Sequence, residues 1–140
     1  MPLSFFSEEI DFSLTNSSET ITWLEQVCSD NHVQIGELNY IFCSDQYLLE
    51  INKKYLDHDY YTDIITFDHS DEEEIIEGDV FISIDRIKEN SDTLKTDFNS
   101  ELHRVIVHGM LHLIGFDDKS EEDKKLMREK EDAYLSLLKT

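Results

Sequence analysis

The chain has 140 residues, 39% hydrophobic and 11% aromatic, enough to bury the core of one domain spanning 1–140. Its 32 acidic and 12 basic residues give a formal charge of −20. That balance excludes broad, non-specific capture of nucleic acid through phosphate neutralisation, though not a local binding groove.

In chain order, Leu3–Phe6 reads as a short first strand, and Ser17 or Ser18 can cap a helix running to about Asn31. Its apolar face is Ile21, Leu24, Val27 and Cys28. Leu38, Tyr40 and Phe42 alternate as a strand does. Asp45 can cap a second helix carrying Leu48, Ile51 and Tyr55, and Asp57–Thr62 reads as a loop into the short strand DIITF. Asp68–Glu77 is an acidic turn, followed by the strand GDVFISI with Val80, Ile82 and Ile84 on one face.

Asp85 can cap a short helix to about Asn90, and Asn99 or Ser100 can begin a largely apolar helix containing Leu102, Val105, Ile106, Leu111 and Leu113. Gly115 is its natural stop, since glycine enters the left-handed region without penalty. SEED (Ser120–Asp123) opens a last helix marked by Leu126, Met127, Ala133, Tyr134, Leu137 and Leu138. The pattern predicts an α/β (α+β) domain, a mixed sheet of about four strands against four to five helices. The N-terminal segment lacks the basic flank and apolar run of a signal peptide, and no stretch approaches the ~20 apolar residues of a membrane span. Cys28 and Cys43 form no C-x-x-C pair and read as reduced, buried thiols of a cytoplasmic protein.

The chemistry concentrates in HGMLHLIGFDD, His108–Asp118. Residues i and i+4 of a helix share a face, so His108 and His112 can reach one ion. A chain turning back at Gly115 can bring Asp118 to the same point, with Asp117 one residue off register in reserve. The spacing is that of H-E-x-x-H-x-x-G-x-x-H in zinc peptidases, with Gly109 in place of the general-base Glu and Asp118 in place of the third His. Two His and one carboxylate leave a fourth position to water, as in a catalytic zinc site, and would lower that water's pKa toward ~7.

An anionic ligand donates more charge than imidazole, so we expect a less acidic water and tolerance of other divalent ions. A glycine inside a helix costs about 1 kcal/mol, so Gly109 implies close approach of substrate or of a packed strand. Its lack of a carboxylate disfavours a peptidase. His103 is on a different face and reads as a surface or supporting residue, not a ligand; His32, His58 and His69 have no partner pattern.

HGMLHLIGFDD resembles the H-G-x-L-H-L-x-G-[YF]-D-H signature of the YbeY family of bacterial rRNA maturation factors. Ile51–Phe67, INKKYLDHDYYTDIITF, is similar to the family's L-N-x-x-Y-R-x-x-D-x-P-T-D-V-L-S-F, and GDVFIS to its G-D-I-x-I strand. The resemblance implies a single-domain α/β fold with a zincin-like metal helix, and one zinc ion on His108, His112 and Asp118. It implies a single-strand-specific endoribonuclease in 16S rRNA 3′-end maturation and ribosome quality control, with rRNA precursors, the 30S subunit or its proteins as partners and neither membrane nor DNA.

The departures are Asp118 for His, Leu56 for the Arg that could contact phosphate, and Tyr61 for Pro. Lys53, Lys54, Arg86 and Arg104 are the nearest cations, and the spacing selects none of them. The alternative is a ribosome-assembly binding protein whose metal serves the fold.

Overall fold

The computed structural model describes residues 3–138. Four strands, β1 (Leu3–Glu8), β2 (Gln34–Cys43), β3 (Ile64–Asp68) and β4 (Ile75–Ser83), form one sheet in the order β1-β2-β4-β3. β1, β2 and β4 run parallel and β3 is antiparallel to β4, so the sheet is mixed. The helices are α1 (Ser17–Asp30), α2 (Asp45–Leu56), α3 (Ile84–Leu94), α4 (Phe98–Ile114) and α5 (Glu121–Leu137). The expected layout holds, with five helices.

Each strand's alternation feeds a different layer. Leu38, Tyr40, Phe42, Val80 and Ile82 face a core shared with α1, α4 and α5. Cys43 and Ile65 face the opposite side, where Leu48 of α2 covers them. β2 is therefore buried on both faces toward its C-terminal end, which the one-sided reading of Leu38, Tyr40 and Phe42 does not anticipate.

α4 is the central element, packing on α1, α3, α5, β3 and β4. Leu102, Val105, Ile106, Leu111 and Leu113 are buried as expected, and the Tyr40 hydroxyl donates to the Ile106 carbonyl at 2.8 Å. A Cβ on Gly109 would meet Ile64 Cδ1 at 2.9 Å and Val80 Cγ1 at 3.1 Å. The glycine is thus a contact with β3 and β4, and a side chain there would point into the sheet.

The helix starts differ from expectation for one reason: Ser, Thr, Asp and Asn all compete for capping, and tertiary partners decide among them. α1 begins after Asn16, which makes no side-chain cap, and neither Ser17 nor Ser18 is the cap. Ser44, not Asp45, caps α2, and Ser83, not Asp85, caps α3. The two aspartates instead cross over. Asp85 accepts from the Asp45 backbone N–H at 2.9 Å, while Asp45 accepts from Ser83 Oγ at 2.7 Å and from Arg86 Nη2 at 2.8 Å. Asp97 caps α4 one turn earlier than Asn99 or Ser100. The Ser120–Asp123 capping box opens α5 as read.

β1 extends to Glu8, α3 to Leu94, and β4 takes in Ile75–Glu77 of the expected turn. Tyr55, Leu126 and Leu137, assigned to apolar faces, are exposed, because α2 and α5 each bury only a narrow stripe. Cys28 and Cys43 are free and buried, and burial pushes both thiols up to about 12. No described helix is long and apolar enough to cross a membrane.

Gly109→Ala gains about 1 kcal/mol of helix propensity but forces methyls against Val80 and Ile64, an overpacking cost of ~1–3 kcal/mol. Urea unfolding should show a net loss of about 1 kcal/mol, and a larger one for Gly109→Val.

Candidate metal centre

α4 presents His108 and His112 on successive turns, with ring centroids 5.5 Å apart. Each imidazole is oriented through Nδ1. His108 Nδ1 lies 2.8 Å from Glu131 Oε2, and His112 Nδ1 lies 3.0 Å from the Phe116 carbonyl. Both partners accept only, because Glu131 is held ionised and a carbonyl has no proton, so both Nδ1 atoms carry hydrogen and donate. In the neutral form of each ring Nε2 then carries the lone pair, the arrangement that hydrogen bonds behind a metal-ligating His enforce.

Gly115, at φ 129°, ends the helix and lets the chain fold back. Its N–H and that of Phe116 both return to Leu111, which points the Phe116 carbonyl at His112. The same turn brings Asp118 Oδ2 to 3.9 Å from His108 Nε2, whereas Asp117 is exposed and makes no such approach.

Two imidazoles on one tetrahedral zinc have centroids about 5 Å apart and its donor atoms ~3.3 Å apart. The 5.5 Å centroid spacing matches such a pair, while Asp118 approaches His108 Nε2 at 3.9 Å and does not come within 4 Å of His112. Among the described residues, no three His, Cys, Asp or Glu side chains are already gathered tightly enough to enclose an ion. The third leg is open.

A cleft of about 410 Å³ lies in front of His108, with Asp118, Asp63 and Glu101 in its walls and Lys124 and Arg128 of α5 at its side. His112 is exposed beside this cleft rather than in its wall. Glu131 is the buried anchor, accepting from Arg104 Nη1 at 2.9 Å as well as from His108. Burial alone would raise its carboxyl, but the bonds from His108 and Arg104 outweigh this and hold it below the usual range. Burial would likewise lower His108, yet Glu131, then Asp118 and Asp63, hold it above the ordinary value. Asp63 is pushed up by burial against the pull of His108, and Glu101 by burial and then by Asp63.

The sequence reading did not name Glu131, Asp63 or Glu101. Glu131 carried a signal: with Met127 and Tyr134 it falls at the i, i+4, i+7 spacing of the buried stripe of α5, a charge where an apolar residue is expected. His103 is not a surface residue. It is buried, donates from Nδ1 to the Asn99 carbonyl at 2.7 Å, and receives Thr20 and Asn16 at Nε2. It ties α1 to α4 as a neutral ring, its pKa lowered by burial.

Leu56, in the place of the family's Arg, is exposed. Of the cations considered for that role, Arg104 is engaged by Glu131 and Asp132, Arg86 by Asp45, and Lys53 by Glu50 and Asp59.

The endoribonuclease YbeY family model matches residues 5–139. The chain belongs to the YbeY family. It is 53% identical to the endoribonuclease YbeY of Cytophaga hutchinsonii over 96% of this chain and 94% of that protein. It is 50% identical to that of Flavobacterium psychrophilum, over 94% of each. Among solved structures, TM1509 from Thermotoga maritima superposes with a TM-score of 0.67 at 26% identity, covering 96% of this chain and 87% of that one. The resemblance read from HGMLHLIGFDD thus extends across the domain, and the YbeY fold is the one observed.

Removing one partner of a buried charge network costs ~3–5 kcal/mol, less where Arg104 stays partly solvated. Glu131→Ala should therefore destabilise the protein by about 2–3 kcal/mol in urea unfolding. Because the Glu131 pKa is depressed on folding, its contribution is complete above the unfolded carboxylate value of ~4.3 and fades as pH falls through the lower folded value. The wild-type advantage over the variant should shrink in that acid window.

Proposed function

We propose that this YbeY protein is a metal-dependent endoribonuclease specific for single strands, acting on rRNA precursors in 16S 3′-end maturation and ribosome quality control, with zinc on His108, His112 and Asp118. The observation that carries the reading is the pair of imidazoles oriented through Nδ1, with Nε2 free on both, beside an acidic cleft. Family membership and the relatives' shared designation as endoribonucleases support the reaction class.

When bound, the cation supplies Lewis acidity toward a phosphoryl oxygen and a more acidic water. The chain's own residues do the rest. Glu131 fixes the His108 ring and Phe116 that of His112. Asp63, its pKa raised within the cleft, takes the proton of the attacking hydroxyl, and Lys124 and Arg128 hold the flanking phosphates. Gly109 faces the sheet, so the base of a zinc peptidase has no room there.

The second reading, an assembly protein with a structural metal, draws on exposed Leu56 and the charge of −20. Purified protein should cleave single-stranded RNA, lose cleavage on chelation and regain it with added zinc, and both His108→Ala and His112→Ala should be inactive. Chelator-insensitive cleavage would refute the metal site; a stability loss on chelation without any cleavage would favour the assembly role.

A second contrast separates the roles in the cleft. Asp63→Asn should lower kcat about 100-fold or more at similar KM. Arg128→Ala should chiefly raise KM and reduce the salt dependence of binding by about 0.7 in log–log slope, one phosphate contact on a single strand.

A further inference from the structure

The end of α2 and the loop that joins it to β3 carry tyrosine rings that stand largely in solvent, although Tyr55 also meets Phe67 edge to face at 5.8 Å. Tyr55, Tyr60 and Tyr61 are 59%, 55% and 51% exposed. His58 stacks on Tyr60 with centroids 5.1 Å apart and planes at 21°, and its Nδ1 lies 3.0 Å from the Tyr60 hydroxyl. Lys54 Nζ sits 5.3 Å from the Tyr55 ring centroid, and the Arg86 guanidinium carbon 5.4 Å from that of Tyr61.

This display is built, not loose. Asn52 is buried at the inner face of α2, its Nδ2 donates to the Tyr60 carbonyl at 3.0 Å, and its carbonyl accepts the His58 N–H at 3.1 Å. Asp57 takes the left-handed conformation that turns the chain out of the helix. Exposing three large rings costs hydrophobic free energy, and a loop held in that shape implies a ligand with flat faces.

Position supplies the connection to the cleft. Tyr61 precedes Asp63 by two residues, so their Cα atoms are at most about 7 Å apart. Asp63 lines the cleft with His108, and its carbonyl accepts the Ser83 N–H at 3.0 Å, which sets Arg86 at the same end of the sheet.

We propose that the Tyr55–Tyr61 segment, backed by Arg86, is a stacking platform that holds unpaired bases of single-stranded RNA at the entrance to the Asp63–His108 cleft. Aromatic faces with interleaved cations are what unpaired bases recognise, largely without regard to sequence. Stacking binds bases rather than phosphates, so it works on a chain of net charge −20 where a broad basic surface is absent. The exposed Lys53 pairs with Glu50 and Asp59, at 4.0 and 3.7 Å, are weak enough for a phosphate to exchange. The proposal rests on the nuclease reading for its substrate and, beyond Tyr55, which the family pattern shares, it assigns binding to Tyr60 and Tyr61, where that pattern has no fixed residue and Pro.

The test uses a short single-stranded RNA carrying the fluorescent base 2-aminopurine, titrated with the full chain. Wild type should quench it on binding. Tyr60→Ala and Tyr61→Ala should each weaken binding by about five-fold or more, the loss of one stacked base, and shift cleavage mainly through KM. Tyr60→Phe should retain binding, and Leu94→Ala, at the far end of α3, should bind as wild type. An abasic strand carrying a terminal fluorophore, followed by anisotropy, should bind wild type and Tyr variants alike. Unchanged quenching and KM in both alanine variants would overturn the platform while leaving cleavage, and so the nuclease reading, intact. Base-dependent binding without cleavage under any metal would support the platform and refute the nuclease. Absence of RNA binding by the wild type would overturn both.

Discussion

Arg104 and His108 both donate to one buried carboxylate, Glu131, across the seam between α4 and α5. Each of those helices buries a different surface, α4 against the sheet and α5 through Met127, Glu131 and Tyr134, so this seam places α5 together with the bond from Trp23 Nε1 to the Tyr134 carbonyl at 2.8 Å. The same bonds set one wall of the cleft, bring Lys124 and Arg128 over it, and choose which nitrogen of His108 faces out. A buried charge network is not retained for stability alone, since an apolar replacement is often as stable. Here it also orients the His108 imidazole.

Legibility in the sequence followed the range of each interaction. The histidine spacing, the Gly115 stop and the Ser120–Asp123 box are set within one or two turns of chain, and the structure reproduces all three. The exchange between Asp45 and Asp85 joins residues forty positions apart, so local capping preference picked the wrong member at both helices. The spacing left His103 open between a surface and a supporting role, and the second holds, because its partners Asn16 and Thr20 lie on another helix and its approach. Glu131 left a trace only as a charge in a buried register, Asp63 only as a matched position of the family pattern, and Glu101 none, because burial of an acid beside a cleft is a property of packing.

The strong negative charge and the candidate RNA substrate are reconciled by how the surface is divided. The acid run Asp71–Glu74 lies on an exposed turn away from the cleft, whose own lining still includes Asp63, Glu101, Asp118 and Glu131. Among the cations lining the cleft, Arg104 serves the structure, while Lys124 and Arg128 stand on exposed α5. With Leu56 in place of the family's Arg, α5 and the tyrosine loop are the surfaces proposed to hold substrate.

The central claim is that two ring nitrogens left free by their hydrogen bonds, and one carboxylate past a glycine turn, hold a single ion. X-ray absorption at the zinc edge of the zinc-loaded protein reads that shell directly. The account predicts two imidazole nitrogens with light oxygen donors at ~2.0–2.2 Å. A shell of oxygen alone, or one containing sulfur, would contradict it.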